Sequence, residues 1–138
     1  MKNNHTWVIC AYGESEFLEA CILSLQAQTL QSKIICYSST PLDSIKQLCQ
    51  KYGIPFYTKE GGGIGKDWNN ALSFVETAYA TIAHQDDYYE PTYLEAVMQK
   101  IEQSKDILIA YTDYFEEKNG VKIPANTNLK IKTLMLKT

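Results

Sequence analysis

Residues 7–29, WVICAYGESEFLEACILSLQAQT, decide the fold, because the spacing of their apolar side chains changes partway along. Residues 7–12 form a short apolar run that Gly13 ends, which is typical of a strand buried on both faces. In residues 14–29 the apolar positions recur at helical spacing, which predicts an amphipathic helix. A buried strand followed at once by such a helix is the building unit of an α/β sheet.

The same alternation continues along the chain. Further short apolar runs that predict strands lie at 34–37, 55–57, 81–83 and 107–111. Helical patterns that predict the intervening helices lie at about 42–52, 66–75 and 91–101. Asn119-Gly120 is the turn signal of a β-hairpin. We therefore predict an α/β fold with a mostly parallel central sheet and helices on both faces.

Ligands of such a sheet bind beyond the carboxyl ends of its strands, so the loops at 12–14, 38–41 and 84–89 are the expected site. The glycine run at 61–65 can line the same edge. It does not match a P-loop, because Glu60 stands where that motif requires glycine. Its backbone N–H groups and Lys66 could still face a phosphate, although a plain connecting loop is the simpler interpretation.

Asp86 and Asp87 are the strongest chemical signal in the sequence. They follow the predicted strand 81–83 directly, and two adjacent carboxylates can hold a hard cation such as Mg2+ or Mn2+. A cation held there could bridge a diphosphate. The alternative is that both acids cap the helix that follows, and residue type alone leaves the two interpretations about equal.

Other side chains near this edge carry weaker signals. His84 is a lone histidine at a strand end, which is more often structural than catalytic. Tyr12 could stack on a base. Trp68 fits the inner face of its helix, so we expect it in the core.

The composition excludes several classes of protein. Of the 138 residues, 45% are hydrophobic and 21% are charged, which is typical of one globular domain. The formal net charge is −3 and every basic residue is Lys, whereas nucleic-acid-binding proteins usually carry a basic excess with Arg. We expect no nucleic-acid partner. Because no apolar run could span a bilayer and the first residues do not resemble a signal peptide, we expect a cytoplasmic protein.

The last part of the chain differs from the rest in charge. After Glu117 there are Lys residues and no acidic residue. This segment could contact anionic lipid, as in a peripheral membrane protein, but a solvated surface is the simpler interpretation. Residues 129–132 alternate like a strand and residues 134–136 stay apolar, so we expect a domain cut from a longer protein.

Four segments, in this order, resemble the N-terminal part of family 2 glycosyltransferases with the GT-A fold. They are residues 7–29, 33–40 (KIICYSST), 61–72 (GGGIGKDWNNAL) and 82–95 (IAHQDDYYEPTYLE). The last of these resembles the family's metal-binding DXD region. The resemblance covers about residues 6–116. It implies a Rossmann-like nucleotide-sugar-binding domain at 1–117, with the start of a truncated acceptor-side region at 118–138.

The resemblance also implies roles for particular residues. Asp87 matches the carboxylate that coordinates Mg2+ or Mn2+ on the donor diphosphate, and Asp86 matches its neighbour on the ribose or the metal. The residues expected to contact the donor nucleotide are Ala11, Tyr12, Glu14, Ser38, Gly65, Lys66 and Asp86. Three positions depart from the family pattern. Ser38 and Ser39 replace acidic residues, Trp68 replaces an arginine, and His84 replaces the first acid of the DXD motif.

By this resemblance the protein is a metal-dependent, inverting glycosyltransferase. Its donor would be a UDP-sugar first of all, or a GDP- or dTDP-sugar, and its acceptor a saccharide or a lipid-linked saccharide. The expected pathway is synthesis of bacterial surface polysaccharide, in the cytoplasm or at the inner membrane surface. The general base is expected beyond Thr138, so we expect this chain to bind the donor but to transfer poorly.

Two other classes remain open. A nucleotidyltransferase also uses carboxylates and a metal on an α/β sheet, but it usually has a basic, Gly-rich loop after its first strand, and residues 10–14 form no such loop. The second is a non-catalytic domain that binds nucleotides or acts as a scaffold.

Overall fold

The computed structural model describes residues 4–104, 106, 109–110, 112 and 115–124. The strands are β1 (His5–Ala11), β2 (Lys33–Ser38), β3 (Phe56–Tyr57), β4 (Tyr79–His84), β5 (Phe115–Lys118) and β6 (Val121–Pro124). The helices are α1 (Leu18–Gln26), α2 (Asp43–Lys51), α3 (Ile64–Leu72) and α4 (Tyr93–Glu102). The chain forms two compact units, Met1–Ala96 and Val97–Thr138.

The first unit contains a four-stranded sheet with the order β3-β2-β1-β4. All its neighbouring strands are parallel, and β1 pairs with β2 on one side and β4 on the other. The chain therefore builds outward from β1 to β3 and then crosses back to place β4 beside β1. This reversal is a topological switch point, where parallel α/β sheets bind their ligands. The predicted α/β fold with a parallel central sheet and flanking helices is confirmed.

Strand β1 is the centre of the core. Trp7, Val8 and Ile9 have no exposed surface, which confirms a strand covered on both faces. On one face, Val8 packs in a buried cluster that includes Ala71 of α3. Trp7 points to the opposite face, because side chains alternate along a strand. Its ring lies 4.8 Å from the ring of Tyr89, between ring centroids.

Helix α1 begins later than its apolar pattern predicts, at Leu18 rather than at residue 14. Gly13 has a left-handed backbone, with φ of +61°, which interrupts the chain before the helix. Ser15 then folds residues 15–17 into a local turn, because its Oγ accepts a hydrogen bond from the N–H of Phe17 at 3.1 Å. The residues between β1 and α1 therefore form a loop at the carboxyl edge of the sheet.

The second unit contains the antiparallel hairpin of β5 and β6. Asn119 and Gly120 connect the two strands, with φ of 52° and 79°. Two successive left-handed residues are what a tight hairpin turn requires, so the predicted hairpin is confirmed. The predicted strands at 107–111 and 129–132 fall largely or wholly outside the described residues.

Candidate functional site

An open cleft of about 170 Å³ lies at the carboxyl edge of the sheet, beside the switch point. It is formed by the ends of three strands and by the first turn of α3, all within the first unit. The lining residues are Cys10, Ala11, Tyr12, Tyr37, Ile64, Asp67, Trp68, His84, Gln85 and Asp86. The cleft therefore joins apolar and aromatic walls to two carboxylates, a mixture typical of small-molecule sites.

Gln85 ties the ends of β1 and β4 together. The N–H of Tyr12 donates to Gln85 Oε1 at 3.3 Å, and Gln85 Nε2 donates to the carbonyl oxygen of Tyr12 at 2.8 Å. The side-chain amide thus imitates a neighbouring strand and extends the pairing of the two strands past their last residues. This pair of bonds holds the Tyr12 backbone at the rim of the cleft, where the tyrosine ring is 67% exposed.

We expect Gln85→Ala to loosen this rim without loosening the sheet. Two hydrogen bonds of about 1 kcal/mol each are lost, so amide exchange at Tyr12 should become roughly thirtyfold faster. Hydrogen exchange followed by NMR measures this, and the amide of Val8 in the middle of β1 is the internal control. Equal acceleration at Tyr12 and Val8 would mean a general loss of stability rather than release of the loop.

The two adjacent carboxylates occupy different positions. Asp86 lines the cleft, and its Oδ1 accepts a hydrogen bond from Ser15 Oγ at 3.0 Å. The N–H of Asp87 donates to the carbonyl oxygen of His84 at 3.1 Å, which forms a tight turn directly after β4. The side chain of Asp87 is exposed and is not part of the lining. Asp86 is therefore held at the cleft by the loop between β1 and α1, although its side chain is exposed like that of Asp87.

The structure argues against helix capping as the role of these acids. Helix α4 begins only at Tyr93, and the N–H of Leu94 in its first turn is bonded by Gln28 Oε1 at 3.0 Å. The capping group comes from a distant part of the chain, so Asp86 and Asp87 are left for another function.

The carboxylates fit a magnesium-like cation only in part. Among the described residues, no group of three His, Cys, Asp or Glu side chains converges as a metal site. Mg2+ is commonly bound by one or two carboxylates together with substrate phosphates and water, and oxygen atoms are its preferred ligands. Asp86 and Asp87 can supply that number of ligands, provided that a phosphate ligand completes the set.

The opposite wall contains a carboxylate that the sequence patterns did not single out. Asp67 Oδ1 accepts from the hydroxyl of Tyr37 at 3.4 Å, and Asp67 Oδ2 accepts from Ser39 Oγ at 3.3 Å. Asn70 Nδ2 in turn donates to the Tyr37 hydroxyl at 3.2 Å. The sequence did contain a signal for Asp67, since it is an acid in the first turn of a helix that begins right after a glycine run at the ligand edge.

The charge of Asp67 affects the groups around it. Burial, and next the charge of Asp67, raise the pKa of the Cys10 thiol to about 11. Burial also raises the pKa of Tyr37, and Asp67 adds to this effect. A raised pKa disfavours the thiolate form of Cys10, which is the reactive form of a cysteine.

The expectation that Trp68 belongs to the core is wrong. Its side chain is half-buried and lines the cleft, where its ring lies 5.5 Å from the ring of His84, between centroids. Ile64 beside it is 69% exposed. Helix α3 thus presents apolar surface to the cleft from its first turn.

The other predicted donor contacts are spread around the cleft. The described residues that line the cleft include Ala11, Tyr12 and Asp86. They do not include Glu14, Gly65 or Lys66, whose side chains or backbone are exposed. Ser38 is fully buried, and its hydroxyl is used inside its own loop, where it donates to the carbonyl oxygen of Thr40 at 3.1 Å. Ser38 therefore shapes the loop after β2 instead of presenting its hydroxyl to the cleft.

These features together define a Rossmann-like α/β domain with its ligand cleft at the switch point of a parallel sheet. The family model for glycosyl transferase family 2 matches residues 6–137. The chain belongs to that family, and the resemblance seen in the four sequence segments is confirmed.

Known proteins agree with this assignment. The chain is 24% identical over 123 residues to the glycosyltransferase GlyA of Streptococcus pneumoniae, a match that covers 84% of this chain and 18% of that protein. Its fold is similar to S. aureus TarS residues 1–349, with a TM-score of 0.64, 17% identity and coverage of 82% of this chain and 40% of that one.

A third similar protein is the mannosyltransferase PcManGT from Pyrobaculum calidifontis, whose structure was solved in complex with GDP-Man and Mn2+. The TM-score is 0.62 with 14% identity, over 71% of this chain and 32% of that one. These neighbours place the fold in the GT-A class. The chain spans less than half the length of each of these three proteins.

None of the helices in the described part of the chain combines the length and the apolar character needed to cross a bilayer.

Proposed function

We propose that this chain is the donor-binding part of a glycosyltransferase that moves a sugar from a nucleoside-diphosphate sugar to a saccharide or lipid-linked acceptor. The observation that carries the proposal is the position of Asp86, a carboxylate held in a cleft at the switch point of a family 2 glycosyltransferase domain. Asp87 follows it at the rim. The pair can receive a diphosphate and its cation at one end of the cleft.

The nucleoside would lie along the aromatic side of the cleft. Ala11 lines the cleft, and the exposed ring of Tyr12 offers a stacking surface. Glu14, Gly65 and Lys66 are exposed, and we propose that they contact the ribose or the phosphates of a bound donor. We propose a UDP-sugar as the first donor to test, with GDP- and dTDP-sugars as alternatives.

Asp86 and Asp87 would hold Mg2+ or Mn2+ in the presence of the donor. When bound, such a cation offsets the negative charge that develops on the departing nucleoside diphosphate. Ser15 keeps one oxygen of Asp86 oriented through its 3.0 Å hydrogen bond, which reduces the ordering that donor binding must supply. The Mn2+ in the Pyrobaculum mannosyltransferase supports this choice of cation.

The acceptor chemistry is assigned to the rest of the protein. In a single displacement with inversion, a base removes the proton of the acceptor hydroxyl as the nucleoside diphosphate leaves. We propose that this base lies beyond Thr138 and that residues 118–138 begin the acceptor side. We further propose that residues 1–117 form the donor domain, and that the enzyme builds bacterial surface polysaccharide in the cytoplasm or at the inner membrane surface.

Calorimetric titration of UDP and GDP, with and without Mn2+, tests the donor site directly. We expect one of them to bind in a Mn2+-dependent manner, and Asp87→Asn and Asp86→Asn to weaken that binding at least tenfold, because each removes a charged oxygen ligand. Asp43→Asn, an exposed acid on α2, is the matched control and should bind like the wild type. Binding that is absent, or that ignores Mn2+ and both substitutions, would contradict the proposal.

A further inference from the structure

Asp67 is a carboxylate of the cleft that the proposed metal site does not use. It lies in the first turn of α3, is half-buried and lines the cleft. In the part of the chain that the structure describes, it forms no ion pair. A half-buried carboxylate without a cationic partner depends on hydrogen-bond donors for its stability.

The protein fixes this carboxylate but does not saturate it. The hydroxyls of Tyr37 and Ser39 lie 3.4 Å and 3.3 Å from its two oxygens, which is longer than the usual O–H···O distance. Tyr37 has one proton for two acceptors, because the carbonyl oxygen of Lys59 is also 3.4 Å from its hydroxyl. A carboxylate has about four acceptor positions, so roughly half of its capacity remains. Asn70 donates to the Tyr37 hydroxyl at 3.2 Å, which keeps that hydroxyl beside the carboxylate.

The backbone opposite Asp67 approaches as closely as glycine allows. A Cβ atom added at Gly61 would lie 2.7 Å from Cβ of Ser39 and 3.1 Å from Oδ1 of Asp67. The glycine run therefore closes one side of this carboxylate. Because Asp67 lines the cleft, a ligand in the cleft can reach the acceptor positions that remain.

The two carboxylates of the cleft stand on different strands. Tyr37 and Ser39, which hold Asp67, belong to the end of β2 and its loop, whereas Asp86 follows β4. One strand, β1, separates β2 from β4, so the two ends are roughly 10 Å apart by the usual strand spacing. A nucleoside diphosphate likewise carries its phosphates and the edge of its base at opposite ends.

We infer that Asp67 selects the base of the donor by accepting a hydrogen bond from a ring N–H, an inference that rests on the proposed function. Uracil, thymine and guanine carry such a ring N–H on the edge remote from the sugar. Cytosine and adenine present a ring nitrogen lone pair there, which the carboxylate repels. Asp67 is thus the specificity-determining residue of the donor site.

Titration of UDP, GDP, CDP and ADP in the presence of Mn2+ tests the inference. Wild-type protein should bind UDP or GDP at least tenfold more tightly than CDP and ADP. Asp67→Asn should weaken the preferred diphosphate about 10- to 100-fold, because a hydrogen bond to a charged acceptor is lost. The same variant should reduce the difference in affinity between the preferred diphosphate and CDP, since an amide N–H can donate to the ring nitrogen of cytosine.

Tyr37→Phe is the matched variant for orientation. It keeps the charge of Asp67 but removes the hydroxyl that holds it. We therefore expect the four nucleotides to keep the same order of affinity. The affinity for the preferred nucleotide should fall less than in Asp67→Asn. Unfolding in urea checks that both variants are folded. Asp43→Asn again serves as the control for removal of a distant charge.

The outcomes separate this inference from the proposed function. If wild-type protein binds all four diphosphates equally in a Mn2+-dependent manner, the inference is overturned and the donor site stands, whatever the variants do. The inference is also overturned if folded Asp67→Asn keeps the wild-type preference. If no diphosphate binds to wild-type protein, both proposals are overturned together.

Discussion

Lowering the pH from 7 to 4 should reduce the free energy of unfolding by on the order of 3 kcal/mol through His5 alone. Burial lowers the pKa of His5 from 6.5 to about 4. Between these two values the unfolded chain binds a proton that the folded chain does not. The stability is therefore full above pH 6.5, falls as the pH decreases through this window, and levels off once the folded protein also takes up the proton.

The contacts of His5 explain why the folded state favours a neutral ring. The side chain is 2% exposed, and its two nitrogens lie 2.8 Å from the hydroxyls of Ser32 and Thr81. The hydroxyl of Ser32 donates a hydrogen bond to the carbonyl oxygen of His5, so it accepts one from the N–H at Nδ1 of the ring. Nε2 is then free to accept from Thr81. Protonation would place a second N–H against a hydroxyl that is already oriented as a donor.

Urea unfolding of wild-type protein and His5→Gln at a series of pH values measures this contribution. His5→Gln should be the less stable protein at pH 7, and the difference between the two should shrink by about 3 kcal/mol on the way to pH 4. His84→Gln, which removes the exposed histidine, controls for the loss of an imidazole in general. A constant difference between wild type and His5→Gln across the range would show that the burial of His5 has no effect on proton binding.

The parallel sheet could be predicted because the burial of a strand determines the pattern of apolar residues in its own sequence. Strand β1 is covered on both faces, so its side chains form a continuous apolar run, and α2 ends where Gly53 adopts a left-handed backbone with φ of +66°. Such signals are local. The position of the site followed from them, because the carboxyl ends of parallel strands share one edge.

The details of the site depend on contacts between distant residues, which no local pattern contains. Gln85 bonds a residue 73 positions away, and the hydroxyl of Tyr37 bonds Asp67, 30 positions away. The role of Trp68 was misjudged for the same reason. Its helical spacing matched the inner face of α3, but the first turn of that helix faces the cleft and not the core. Asp67 itself stands in a turn whose direction only the folded sheet reveals.

Gln28→Met should lower the free energy of unfolding by about 2–3 kcal/mol, although it preserves the size of the side chain. Gln28 is 2% exposed and connects α1 to the segment that follows Asp86 and Asp87. Its Nε2 donates to the carbonyl oxygen of Glu90 at 2.8 Å, and its Oε1 accepts from the buried N–H of Leu94 at 3.0 Å. A methionine would leave the buried N–H of Leu94 without its acceptor, which costs about 1–3 kcal/mol. The carbonyl oxygen of Glu90 would lose one of two hydrogen bonds, since it also accepts from the N–H of Tyr93 at 3.0 Å.

Urea unfolding at pH 7 measures the effect, and Gln47→Met on the exposed surface of α2 should change the stability by less than about 0.5 kcal/mol. Equal effects of the two substitutions would mean that the buried amide contributes nothing specific.

The consequence for function follows from the position of these bonds. Gln28 and the hydroxyl of Ser24, which accepts from the N–H of Tyr89 at 3.1 Å, hold the chain directly after the two carboxylates. A folded Gln28→Met protein should therefore also bind the Mn2+-dependent nucleotide more weakly than wild type, because the turn that carries Asp86 and Asp87 loses its support on one side.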